Sequence, residues 1–305
     1  MNKIIEKYII IFIIIAVTFG LIFNNFFATL VPLVSYLLGI VMFGIGINLN
    51  SANFKPIWNI KGKTLSIVTL KFIFVSMGAF VFAKIFHLNN METAGLVILG
   101  SCPGGTVANV YSFLTRSNLA LTVTLTILST IIAPIAIPAL LYLYLHKTIH
   151  IPYLGMFIKT LEVVVLPIVA GIMLNRYISG IDNVKKVLPS ISILCVCLIV
   201  AIVVAINQPK VIAFPMAIIL VCLVLNLYSF CIAYLISQFI KLDTPSTRST
   251  MFEFGMLDSG LATVLSLLFF NPTAALVGTI YSVLQNIIGP ITVKMFNTTD
   301  TKLEK

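Results

Sequence analysis

Apolar runs of membrane-crossing length, following one another from end to end, limit what this chain can become. Ten of them can be marked: Tyr8–Phe27, Leu30–Ile47, Thr64–Phe86, Glu92–Leu114, Leu119–Leu145, Tyr153–Leu174, Val187–Ile206, Val211–Phe239, Thr250–Phe270 and Pro272–Phe296. A helix needs roughly 20 apolar residues to cross a hydrocarbon core about 30 Å thick. Only 9% of the 305 residues are charged and 60% are apolar, whereas about a quarter of a soluble domain is charged. The same figures exclude a disordered chain and a disulfide scaffold. Stretches such as Tyr8–Ala16 lack the two-residue alternation of a transmembrane β-strand. The expected fold class is therefore all-α and integral to a membrane, with ten transmembrane helices. The first run is read as a span and not a cleaved signal, because a second follows closely and no small-residue cleavage site intervenes.

The net charge of +10 invites a nucleic-acid reading until the charges are placed. With a cytoplasmic N-terminus, nearly all basic residues fall on the inner side: Lys3, Lys7, Lys55, Lys61, Lys63, Arg116, Arg176, Lys185, Lys186, Lys241, Arg248, Lys294, Lys302 and Lys305. Lys84, Lys147 and Lys210 fall outside, with Lys159 near that face. This is the positive-inside bias of a membrane protein. It places both termini in the cytoplasm and the chain in the plasma (inner) membrane, with the bilayer and not nucleic acid as its charged partner. No obligatory protein partner is indicated. The five cysteines, Cys102, Cys195, Cys197, Cys222 and Cys231, lie mostly within spans and read as reduced packing residues.

An internal repeat is visible. Ser129-Thr130-Ile131-Ile132-Ala133-Pro134-Ile135 returns as Gln285-Asn286-Ile287-Ile288-Gly289-Pro290-Ile291. Asn118-Leu119-Ala120-Leu121 is echoed by Pro272-Thr273-Ala274-Ala275-Leu276. The halves, 1–150 and 151–305, hold five spans each. An odd number inverts the second half in the membrane, and inverted repeats with interrupted helices mark secondary transporters.

Two spans carry such interruptions. The fourth reads Leu99-Gly100-Ser101-Cys102-Pro103-Gly104-Gly105-Thr106 and the ninth Glu253-Phe254-Gly255-Met256-Leu257-Asp258-Ser259-Gly260. Proline removes a backbone donor and glycine favours non-helical backbone. At mid-membrane this is tolerated only where protein or a water-filled cavity surrounds it. Two crossing broken helices would present half-helix N-termini near Thr106 and Ser259 to an anion. Carboxylates at that depth must be paired, protonated or bound to a cation. Asn109, Thr122, Thr126 and Glu253 together offer the oxygen ligands that suit a hard cation such as Na+. Thr122 and Thr126 share one helical face. Lys71 lies about 12 Å along its span beyond Lys63, which is far for snorkelling, so Glu253 or Asp258 is its expected partner. Glu162 is expected to pair with Lys159 three residues before it.

At these residues the chain resembles the bile acid:sodium symporter family. The likeness runs through Gly100–Thr106, Asn109-Val110, Ala120–Val123, Glu253–Met256, Ser259–Ala262, Phe270-Asn271-Pro272 and Tyr281–Asn286. The resemblance implies a panel of spans 1, 2, 6 and 7, and a core of spans 3–5 and 8–10 that includes broken helices 4 and 9 crossing. It implies symport of an organic anion with Na+ and a first Na+ site at Asn109, Thr122, Thr126 and Glu253, with Ala108 where the family has a serine. A second Na+ site would use Glu253, Met256 and two glutamines. Lys71 and Leu257 stand in place of those glutamines, and Asp258 in place of the asparagine that follows.

The expectation is a secondary active transporter moving a small organic anion with Na+ by alternating access, with at most one Na+ site retained. Lys71, Met256 and Leu257 mark the degenerate second site. Thr106, Asp258, Ser259 and Asn286 are the candidate substrate residues. Na+ is the coupling ion and no cofactor is expected. The alternative is H+-coupled symport or antiport through Lys71 with Glu253 and Asp258. A membrane-embedded enzyme is remote. The chain has no HExxH zinc motif and no aspartate-rich diphosphate motif, and His87, His146 and His150 all fall in outer loops.

Overall fold

A computed structural model of the protein describes the backbone of residues 3–48, 62–177, 182–213 and 215–303. Lys55, Lys61 and Lys305 of the charge pattern lie outside the described residues, as do the side chains of Lys3, Lys7, Lys185, Lys186 and Lys302. The chain is all-helical. In order it forms α1 (Lys3–Ile22), α2 (Asn24–Thr29), α3 (Val34–Asn48), α4 (Lys63–Ile85), α5 (Asn90–Gly100), α6 (Thr106–Leu114), α7 (Leu119–Leu145), α8 (Tyr153–Thr160), α9 (Leu166–Tyr177), α10 (Asp182–Ile206), α11 (Gln208–Ile212), α12 (Met216–Phe239), α13 (Thr244–Gly255), α14 (Ser259–Phe269) and α15 (Pro272–Leu303). Among the described residues, five continuous stretches are long and apolar enough to cross a membrane: α4, α7, Tyr153–Tyr177, α12 and α15 as far as Phe296. Apolar segments at Ile11–Ile22, Val31–Ile47, Ser190–Ile206 and Ser259–Phe269 are shorter.

Local chemistry explains where apolar runs stop being single helices. Asn24 and Asn25 interrupt the first run: Asn25 N donates to Asn24 Oδ1 at 2.8 Å, and Asn24 Nδ2 to Gln208 Oε1 at 2.6 Å. Val211 belongs to the separate short helix α11, whose second residue is Pro209, while Pro215 is the N-cap of α12. The stretch Tyr153–Tyr177 passes through a π-helical turn at Leu161–Val165. Lys159 Nζ donates to both Glu162 oxygens beside it, at 3.1 and 3.0 Å. Left-handed residues follow α4, α6 and α12, at His87, Arg116 and Lys241, closing each helix as an αL cap does.

The helices with broken backbone sit among continuous ones. α4 packs against α5 and α12, α13 against α12 and α7, and α15 against α14 and α5. α5 and α15 approach so closely that a Cβ on Gly95 would stand 2.2 Å from the Ala274 carbonyl oxygen. Elsewhere α3 packs on α9 and α10, and α10 on α1. Large apolar side chains on the outward faces, such as Ile14, Ile22, Phe26, Leu166 and Met173, are exposed. So much exposed apolar surface is a liability in water and the expected face toward lipid.

Candidate functional site

The two interrupted runs meet. α5 has eleven residues and α6 nine; at about 1.5 Å per residue each covers roughly half of a 30 Å core. α5 ends at Gly100, where Ser101 donates to Val97 O through both its N–H (3.0 Å) and its Oγ (2.7 Å). α13 ends at Gly255, whose carbonyl accepts Asn226 Nδ2 at 2.7 Å and the Tyr281 hydroxyl at 2.9 Å. Between these ends the breaks pair as an isolated antiparallel bridge, Gly104 with Leu257. Gly105 N donates to Met256 O at 2.7 Å, and Asp258 N to Pro103 O at 2.9 Å. Backbone groups freed by one break are thus satisfied by the other, as burial in an apolar medium demands.

Glu253, in the last turn of α13, is fully buried beneath this bridge and makes the densest polar cluster there. Its Oε1 accepts from Lys71 Nζ, the Gly104 N–H and Ser129 Oγ, each at 3.0 Å. Its Oε2 accepts from Thr126 Oγ1 at 2.7 Å. The Lys71 and Glu253 side chains are both 0% exposed. Isolating either charge at this depth would be severely unfavourable, and a contact pair with added neutral donors is what makes it tolerable. Any residue but proline could supply that N–H, but only glycine fits at 104: a Cβ there would lie 2.3 Å from Glu253 Cδ.

The sequence-predicted residues divide as follows. Thr126 and Glu253 are in contact, and of the two carboxylates considered for Lys71 it is Glu253 that it touches. Asn109 stands on α6 one turn beyond Thr106, and its buried Oδ1 has no partner. Thr122 is not among the donors to Glu253; its Oγ1 lies 2.8 Å from Ser112 Oγ. Met256 and Leu257 are buried, and their backbone takes part in the bridge. Thr106, the first residue of α6, is exposed. Asp258 is the N-cap of α14 and accepts from Leu261 N at 3.0 Å. Ser259 Oγ accepts from Gln285 Nε2 at 3.0 Å. Asn286 Nδ2 donates to Ser282 O at 2.7 Å, and its Oδ1 has no partner.

Sequence reasoning missed two donors to Glu253: the Gly104 N–H and Ser129. Ser129 lies one turn beyond Thr126 on α7, so the Thr-x-x-Ser spacing was the available signal. Its repeat counterpart Gln285 also reaches a broken helix, at Ser259.

Comparison with known proteins adds an independent line. The sequence pattern of the Sodium Bile acid symporter family matches residues 35–214. A protein of Bacillus subtilis (strain 168) named as an uncharacterized sodium-dependent transporter, YocS, is 30% identical over 280 residues, 92% of this chain and 87% of its own length. A chloroplastic protein of Arabidopsis thaliana named as a sodium/metabolite cotransporter, BASS1, is 28% identical over 256 residues, 83% of this chain and 64% of its own. The hepatic sodium/bile acid cotransporter of Homo sapiens is 26% identical over 253 residues, 78% of this chain and 70% of its own. The chain thus spans less than two thirds of the Arabidopsis relative.

Proposed function

This chain belongs to the sodium/bile acid symporter family and is a membrane transporter, not an enzyme; on that premise we propose that it moves a small organic anion together with a single Na+ by alternating access. The observation that carries this reading is the asymmetry of the Glu253 carboxylate. Oε1 is taken by three donors, one of them the Lys71 ammonium, while Oε2 accepts only from Thr126. A carboxylate oxygen holds about two lone-pair sites, so Oε2 keeps room for a cation and Oε1 does not. Asn109 Oδ1, buried without a partner, and the hydroxyls of Thr122 and Thr126 are the neutral oxygens assigned to the same Na+. On the other side Lys71 supplies the positive charge that a second Na+ would otherwise supply, with Met256 and Leu257 completing the degenerate site.

The architecture proposed for this transport is ten spans in two inverted halves, 1–150 and 151–305. The paired breaks, α5–α6 and α13–α14, and the matching prolines Pro134 of α7 and Pro290 of α15 support it. Spans 1, 2, 6 and 7 form the panel against which the core moves. The termini are assigned to the cytoplasm and the chain to the plasma membrane by its charge bias. Thr106, Asp258, Ser259 and Asn286 are assigned to substrate, and no partner beyond substrate and lipid is invoked.

Proteoliposomes with imposed gradients provide the test. Uptake is expected to follow an inward Na+ gradient and to be indifferent to a pH gradient alone. The buried pairing of two titratable groups, Lys71 and Glu253, is the observation that favours a second reading, H+ coupling. Uptake that ignores Na+ and follows the pH gradient would establish that reading in place of the first.

A further inference from the structure

The charge at the crossing does not close with protein groups alone. Lys71 and Glu253 cancel as a contact pair. Asp258 is a second carboxylate beside the same bridge, and it makes no ion pair among the described residues. Among those residues Lys71 is the one Lys or Arg that is buried.

The two half-helix N-termini differ for the same reason. α14 carries its own anion, since Asp258 caps it through Leu261 N. α6 begins after Gly105 with no side-chain cap; Ala108 N already donates to Gly105 O at 3.0 Å, so the Thr106 and Val107 N–H groups and the positive dipole end remain for a ligand. Gly105 and Asp258 flank one bridge, donating to Met256 O and Pro103 O respectively. An independent observation lies on α15. Gln285 is 4% exposed, its Nε2 is held by Ser259 Oγ next to Asp258, and its Oε1 has no partner. A buried acceptor left unmatched is costly and calls for a donor. At the start of α14, then, Asp258 and Gln285 Oε1 are two acceptors with no cation hydrogen-bonded to them, since the nearby Lys71 ammonium is engaged by Glu253, while the start of α6 offers donors to an anion.

We infer that the substrate is a zwitterion, whose carboxylate lies at the start of α6 and whose ammonium is received by Asp258 and Gln285 Oε1. The inference rests on the transport function proposed above and replaces its simple organic anion with a carboxylate that also carries an ammonium. One Na+ beside Glu253 brings the set of Lys71, Glu253, Asp258 and Na+ to neutrality. A plain monoanion would then carry a net negative charge into mid-membrane, where uncompensated charge is strongly disfavoured. A zwitterion adds none.

The test uses the full-length protein in detergent and its thermal stabilisation by matched ligands. One series runs from glycine through β-alanine and aminobutyrate to aminovalerate. The other holds the same carboxylates with a methyl group in place of each ammonium. In the presence of Na+, the best zwitterion is expected to bind about tenfold or more tightly than its methyl counterpart, the worth of a charge-assisted hydrogen bond. Asp258→Asn keeps an efficient helix cap and should remove or reverse that preference, as should Asp258→Ser. Equal or tighter binding of the methyl series, unchanged in Asp258→Asn, would overturn the zwitterion while leaving the transport reading intact. No Na+-dependent stabilisation by either series would overturn it as well. The transport reading is judged separately, by stabilisation with Na+ alone.

Discussion

Glu253→Gln is expected to abolish stabilisation by Na+ and to be the most damaging single substitution in the protein. The amide keeps the shape of the carboxylate but leaves the Lys71 ammonium, 0% exposed, without a counter-charge in contact. Breaking a buried pair from one side costs about 3–5 kcal/mol. Removing both charges, in Lys71→Gln with Glu253→Gln, should recover much of that loss, because neither buried charge is then stranded. It should not recover the response to Na+, since no anionic oxygen remains for the ion. Thermal unfolding in detergent, with and without Na+, separates the two effects. If the single variant were as stable as the native protein, the ammonium would not depend on Glu253 and the account of the pair would fail.

Gly104→Ala follows in size. The added Cβ would lie 2.1 Å from Glu253 Oε2 and 2.5 Å from Oε1. The carboxylate cannot swing aside freely, because Lys71, Ser129 and Thr126 hold it. Overpacking of this kind costs about 1–3 kcal/mol. Displacing the carboxylate also forfeits hydrogen bonds to a charged group, worth about 1.5–3 kcal/mol each. Na+ affinity is therefore expected to fall by about tenfold or more, read from a Na+ titration of the melting temperature. Gly62→Ala is the control, since a Cβ there meets nothing within 4 Å. It should leave both stability and Na+ affinity near native values.

Why the all-helical membrane character was legible and parts of the site were not comes down to the range over which residues act. Apolar runs, Pro103 with its flanking glycines, and the Gly255–Gly260 segment act on their own backbone, so the breaks could be placed from sequence. Lys71 could be singled out for the same reason: an ammonium so far along an apolar helix needs a partner. Which carboxylate it takes depends on how α4 packs against α13, and that choice is tertiary. Thr122 shows the limit of periodicity. It shares a face with Thr126, yet a hydroxyl takes the partner that lies nearest, and for Thr122 that is Ser112 on another helix. The Gly104 N–H could not be anticipated, because it donates to Glu253 only once the two breaks have paired. Asn24 opens α2 and Pro215 caps α12 at points where composition alone reads through a long apolar run.

The central claim, that Lys71 stands where a second cation would bind and leaves one Na+ per chain, can be measured without knowing the substrate. Equilibrium binding of radiolabelled Na+ to the purified protein is expected to saturate at one ion per chain. With Lys71→Gln and Leu257→Gln combined, a second ion should appear, because Glu253 Oε1 loses its ammonium and two amide oxygens are gained beside it. Two ions per chain in the native protein, or an unchanged count in the double variant, would contradict the account.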